Sequence, residues 1–418
     1  MASTISWLDA STAEQNRMRE ILGFFTEKDS REELGLGQIR DALGDGLFPG
    51  SSTLHTRARY LLFIPWIFRQ VAHRGGNIGQ TRRQELELIK ALKAAGGRQS
   101  GIIGYEAGST LKTVPSALYW SALGVYRILA EPGLTREQAV SLHGTRTPAA
   151  TEEAGEQAYH AWHTSLPPAP PGFPGSAPGG MDLTYEEAEW LRERIISSVP
   201  DSMLAHLVMH QLNQETSVPW EEPEALSVRG EPQRILHHAR RFSDTMQGAQ
   251  LLYNILIAES YERARFDRQQ GRIEHFEGAL ARWGEFYANA GAADWDLDDF
   301  FACVTAIRGA RVSAGSEVFV RDWVAMLEAS DPHRIAADPQ ARALVRDRER
   351  RNKGPMARID NPKRLASWGG SSGAGRYVYR WGYVRTILTD IHRGLTRGDQ
   401  AGGTAPQVAM RQQEALGA

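Results

Sequence analysis

From Met18 to Ile391 the apolar side chains recur every three or four residues, and period-two alternation is confined to short stretches such as 316–320. A strand buries every second residue and a helix every third or fourth, so this spacing predicts a mainly α-helical fold and argues against a sheet-built core. Ser11-Thr12-Ala13-Glu14 reads as a capping box opening a helix over 12–27, with Met18, Ile21, Leu22 and Phe25 on its apolar face. Thr184-Tyr185-Glu186-Glu187 is a second box, opening a helix to about Ser198. Between the boxes, helices are expected over 54–73, kinked or divided at Pro65, and over 83–95 and 114–129. Beyond them the spacing predicts helices near 201–212, 231–243, 246–269, 272–290, 297–309, 316–329 and 338–350. A closing helix should bury Tyr377, Trp381, Val384, Leu388 and Ile391.

The stretch 165–180, SLPPAPPGFPGSAPGG, is too rich in Pro and Gly for a packed element and reads as a linker of polyproline character. The expected organisation is two helical domains, over 1–164 and 181–396, joined by this linker and followed by a disordered tail over 397–418. A length of 418 residues fits two or three domains. No apolar run approaches the roughly 18 residues of a spanning helix, and no basic segment followed by an apolar one opens the chain. A cytoplasmic protein without a membrane partner is therefore expected.

Scarce residues make several chemistries easy to exclude. A single cysteine, Cys303, leaves no disulfide framework and no paired-cysteine metal site. Only six lysines occur, Lys28, Lys90, Lys93, Lys112, Lys353 and Lys363, and none follows a glycine, so there is no phosphate-binding P-loop. The residues two before them are Thr26, Leu88, Ala91, Thr110, Arg351 and Asn361, which removes the common nuclease core that sets a carboxylate there. The positive matches are partial. Asp294-Trp295-Asp296-Leu297-Asp298 begins like a calcium loop but lacks its glycine and closing glutamate, so helix capping is the simpler reading. Gly369-Gly370-Ser371-Ser372-Gly373 has the spacing of a nucleophile elbow without the flanking strand, and reads as a flexible loop. His206 with His210, and His160 with His163, share helix spacing without the glutamate of a zinc protease. No cofactor, metal or catalytic residue is assigned.

Charge is unevenly spread. Residues 1–130 carry net +4, residues 131–330 net −14 and residues 331–418 net +8. The basic end interleaves arginines with aromatics, which suits phosphate neutralisation and base stacking. Lys363, Arg364, Arg376, Arg380 and Arg385 are its candidate nucleic-acid contacts. A second candidate pair lies in Thr56-Arg57-Ala58-Arg59-Tyr60. Arg57 and Arg59 sit about 200° apart on a helix, so one can face solvent while the other is drawn inward. A buried guanidinium needs a carboxylate, for which Asp41 and Asp45 just upstream are the natural expectation; phosphate contact is the alternative.

The N-terminal motifs are distinctive in combination: Ser6-Trp7-Leu8-Asp9, Leu47-Phe48-Pro49-Gly50 with Ser52-Thr53, and Thr56 to Tyr60. Together with Leu166-Pro167-Pro168, Phe173-Pro174, Leu183-Thr184, Arg380-Trp381 and Asp390-Ile391, this resembles a bacterial family of unknown function. The resemblance covers about residues 4–396. It implies a place in prokaryotic defence-type loci, beside helicase or nuclease subunits, and supplies no catalytic residues. The expected role is a non-catalytic component binding nucleic acid or a partner subunit. The alternatives are a nuclease whose site spacing does not reveal, and a structural adaptor docking through the acidic middle.

Overall fold

The computed structural model describes residues 33–95, 101–142, 160–212, 214–289 and 295–402. These residues form fifteen α-helices and no sheet; Leu129 and Trp162 make one isolated bridge. The mainly helical expectation therefore holds. In chain order the first eight helices are α1 (Gly37–Leu47), α2 (Tyr60–His73), α3 (Ile78–Ala94), α4 (Pro115–Val125), α5 (Arg136–Ser141), α6 (Tyr185–Ser198), α7 (Met203–Met209) and α8 (Pro223–Ser227). The other seven are α9 (Glu231–Arg263), α10 (Arg272–Asn289), α11 (Leu297–Arg308), α12 (Ala314–Ala329), α13 (Pro339–Lys353), α14 (Pro362–Leu365) and α15 (Trp381–Gly402). Two compact units are built from interleaved segments: Met1–Leu43 with His237–Tyr377, and Gly44–Leu236 with Val378–Ala418.

In the second unit α2 is the central element. Every residue from Tyr60 to Phe68 is buried, together with Val71 and Ala72, the pattern of a helix surrounded by protein on all sides. Each such large apolar side chain contributes roughly 1.5–3 kcal/mol by leaving water. Helices α3, α4 and α5 pack around it, and α2 runs through Pro65 without ending. Helix α15 packs on α6 and α7. It approaches α6 so closely that a Cβ on Gly394 would lie 2.6 Å from Ala188 Cβ, which is why a glycine stands there. The segment 165–180 lies within this unit and forms no helix, as its prolines predict. It is nevertheless packed: Leu166, Phe173 and Ala177 are buried, and Phe173 stacks on Phe63 at 5.6 Å. Proline-rich backbone keeps its carbonyls free, and these accept from neighbouring side chains, Pro167 O from Trp66 Nε1 at 2.7 Å and Phe173 O from Gln70 Nε2 at 3.2 Å.

In the first unit, α9 from His237 onward supplies the core through Phe242, Met246, Tyr253 and Ile257. The sequence predicts two helices here, near 231–243 and 246–269. The helix instead continues to Arg263, since Asp244 and Thr245 are stapled by tertiary partners: Trp283 Nε1 donates to Asp244 O at 2.7 Å and Trp323 Nε1 to Thr245 O at 3.0 Å. It ends before 269, and Arg265 has φ of 59° just beyond it. Residues 316–320 are helical within α12, and the expected tail is helical as far as Gly402. The expected helix over 12–27, the Ser6–Asp9 motif and residues 403–418 lie outside the described residues. Among those described, no helix is long and apolar enough to cross a membrane.

Candidate functional site

Arg57 and Arg59 stand just before α2 and at its first turn, and both are turned inward. The Arg57 Nε donates to both oxygens of Asp390, at 3.1 and 2.9 Å, while its Nη2 reaches Asp182 at 3.4 Å. Asp390 also accepts from the Ala58 N–H at 2.9 Å. Burial pushes the Asp390 carboxyl upward, and Arg57 and Ala58 pull it back. Arg59 is 2% exposed and makes a two-pronged pair with Glu187, Nε to Oε2 at 2.9 Å and Nη2 to Oε1 at 2.8 Å. Its Nη1 donates to Pro178 O and Gly180 O, both at 2.7 Å. Glu187 also closes the α6 capping box, as its sequence predicts. The expected partners are thus corrected. Asp41 pairs with neighbouring Arg40, and Asp45 pairs with Arg380 at 2.6 Å. The true partners, 333 and 128 residues away, are carried by α15 and α6 and leave no mark in local spacing.

Of the arginines of the basic end, Arg376 belongs to the first unit and Arg380 and Arg385 to the second. Arg380 has φ of 65° and follows Tyr379 at 47°, a tight turn that starts α15 and aims Arg380 at Asp45 and Ser51 O. Arg385 pairs with Glu215 at 2.8 Å. Arg348 is buried against Leu34 O at 2.7 Å, and Arg358 pairs with Glu33 at 2.5 Å. Lys363 and Arg364 are exposed on α14 and make no ion pair among the described residues. Tyr377, Trp381, Val384, Leu388 and Ile391 are all buried, as the spacing predicts. Their rings are core.

Arg376 leads to an open groove of about 480 Å³ in the first unit. One wall is α10, with His275, Phe276, Arg282, Trp283 and Phe286; α9 supplies the floor through Gln247 and Leu251. The rim is the glycine-rich loop, through Ser371, Ala374, Gly375 and Arg376. Among the described residues no carboxylate lines it. A Cβ on Gly248 would fall 2.4 Å from the Trp283 ring, so this glycine sets the depth at which α10 meets α9. The loop is not loose, contrary to the sequence expectation. Asn254, wholly buried in α9, brackets the Ser372 peptide, donating to its O at 2.9 Å and accepting from its N–H at 2.8 Å. Ser372 Oγ accepts from Trp368 Nε1 and from Arg358, both at 3.2 Å. With its amide oriented to satisfy both ends, Gln250 donates to Gly373 O and Gly375 O and accepts from Tyr377. No strand precedes Ser371 and no helix follows it directly, so the elbow geometry is absent.

The guanidiniums lining the groove are those of Arg282 and Arg376. Arg376 is held at 2.5 Å by the buried Asp244, whose carboxyl burial pushes up and Arg376 pulls back, and Arg240 lies 3.6 Å from the same carboxylate. The Arg376 guanidinium sits 5.3 Å over the ring of Phe286, which is 39% exposed. Arg282 is exposed and makes no ion pair among the described residues, and Arg272 lies against Gly370 of the loop. A second groove, of about 430 Å³, occurs in the other unit along α15, between Gln211, Thr389, Arg393 and Arg397. There Arg397 is paired with Asp182 at 2.7 Å, and the one ring, His392, is buried against Val208 O.

Other sequence candidates have partners within the protein. Asp296 caps α11, accepting from the Asp298 and Asp299 N–H groups at 2.9 and 3.0 Å, and Cys303 is buried. His206 bonds Glu224 O at 2.9 Å, His210 bonds His206 O at 2.7 Å, and His163 bonds Ser165 and Arg194. Among the described residues no three His, Cys, Asp or Glu side chains converge as metal ligands. The groove itself was missed by spacing arguments: Arg282 and Phe286 are four apart on one helix face, inside a segment whose net charge is acidic.

A family model described as a family of unknown function, DUF6361, matches residues 2–393, and the chain belongs to that family. No curated protein matches, and no solved structure does.

Proposed function

We propose that the chain is a non-catalytic nucleic-acid-binding component, and that the groove between α10 and the loop at 371–376 is its contact surface. One observation carries this reading: in a chain with more acidic than basic residues, the groove is lined by two guanidiniums, an imidazole and an exposed aromatic ring, without any carboxylate among the described residues. Guanidiniums neutralise phosphates, and aromatic faces accept bases. Setting this protein in a defence locus against foreign DNA, beside a helicase or nuclease subunit, rests on the resemblance of its N-terminal motifs. Of the sequence candidates, Arg376 lines this groove while also pairing with Asp244, whereas Arg57, Arg59, Arg380 and Arg385 donate to carboxylates of the protein and line no part of it. The rival reading, a nuclease or other hydrolase, would draw on Ser371 and His275 in the same groove, between which there is no hydrogen bond.

The test is a salt titration of labelled single-stranded and duplex DNA and RNA against wild type and an Arg272→Ser, Arg282→Ser double variant. Wild type should bind at about 50 mM salt, with log K falling by about 0.7 per neutralised phosphate on single strands or 0.9 on duplex. The double variant should bind more weakly and with a shallower slope. No binding to any of the four would refute the reading. Retained binding in the variant would move the contact to the α15 groove or to Lys363 and Arg364.

A further inference from the structure

We infer that the groove seats one unstacked nucleobase beside the Phe286–Arg376 pair, so that the protein selects single strands over duplex. This rests on the nucleic-acid reading and specifies its ligand. Three features carry it. Phe286 is a large apolar ring left 39% exposed at the mouth of a pocket, where burying it against another ring would be favourable. The Arg376 guanidinium lies over the ring at 5.3 Å from its centroid and is tied to Asp244, so cation and ring form a fixed pair. Bases stack on aromatic rings and guanidinium planes alike. The groove's volume of about 480 Å³ lies in the range of small-molecule sites, which suits one nucleotide.

A duplex cannot offer a base to such a pair without extruding it, and extrusion costs a few kcal/mol. A single strand presents its bases at far smaller cost. The phosphates flanking the seated base would then lie toward Arg282 on α10 and Arg272 beside the loop, both without an ion pair among the described residues. Gln247 and Ser371 offer polar atoms to the edge of the base, without fixing which base is preferred.

The experiment measures affinity and salt slope for oligo-dT, its duplex with oligo-dA, and thymidine monophosphate. The proteins are wild type, Phe286→Ala, Phe286→Trp and Arg282→Ser, each checked for native helicity. Single strands should bind wild type more tightly than duplex. Phe286→Ala should lose roughly ten- to a hundredfold in single-strand affinity with an unchanged salt slope, as expected for one lost stacking contact. Phe286→Trp should restore it, its added indole fluorescence being quenched on binding. Arg282→Ser should instead lower the salt slope by about 0.7. If Phe286→Ala binds oligo-dT as wild type does while Arg282→Ser is weakened, the base seat is refuted and the nucleic-acid reading stands. Equal affinity for the monophosphate and the strand would also overturn it, assigning the groove to free nucleotides. If wild type binds none of these ligands, the underlying reading fails as well.

Discussion

Removing the Arg59 guanidinium would strand the Glu187 carboxylate where water cannot replace its partner. Glu187 is 8% exposed, and its two oxygens face Arg59 at 2.8 and 2.9 Å. Arg59→Ala should therefore lower stability by about 3–5 kcal/mol, read from urea unfolding. Replacing the pair together, Arg59→Met with Glu187→Leu, should recover part of the loss, because an apolar pair leaves no unpaired charge. A loss below about 1 kcal/mol in Arg59→Ala would show that the clamp carries little of the fold. The sequence contains the need for this clamp but not its partner. A charged side chain within the apolar stretch around α2 has to be neutralised, yet which carboxylate does so is decided by a helix 128 residues away.

At the scale of elements, α4 shows the same division. Its apolar spacing and its entry at Pro115 are legible, but Val114 offers no capping side chain. The cap comes instead from Glu85 on α3, whose Oε1 accepts from the Ser116 N–H at 2.7 Å and Oε2 from its hydroxyl at 3.1 Å. Burial raises the Glu85 carboxyl to about 7, and the two Ser116 bonds only partly offset it. The folded chain thus holds this proton more tightly than the unfolded chain, where the group titrates near 4.5. The stability gained from it is complete below about pH 4.5 and is lost as pH rises through 7, with a slope of at most about 1.4 kcal/mol per pH unit. Glu85→Gln keeps an acceptor for the N–H and removes the titration. Unfolding free energies across pH 4.5–7 should accordingly fall less steeply in the variant; parallel profiles would contradict the assignment. Helices such as α6 and α13 are legible because capping and periodicity agree. Helix α9 is longer than its spacing indicates, its middle held by indole donors from α10 and α12 on the Asp244 and Thr245 carbonyls and by Arg376 on the Asp244 carboxylate.

For the whole molecule, one groove of the first unit is the proposed seat of a nucleic-acid strand. Charge along the sequence points to the C-terminal stretch, whereas the fold gathers Arg282 and Phe286 of the acidic middle with Arg376 of the basic end. Net charge by segment averages over faces that folding separates, so this grouping does not register in it. The loop at 369–376 is likewise glycine-rich in sequence yet held by Asn254 and Gln250 of α9, a fixed rim whose partners lie over a hundred residues upstream. The most direct measurement is hydrogen–deuterium exchange of the full chain with and without saturating oligo-dT at low salt. Slowed exchange concentrated in 271–287 and 369–377, with the 389–397 face unchanged, is the predicted result. Protection confined to 389–397, or no protection anywhere while the strand is bound, would contradict it.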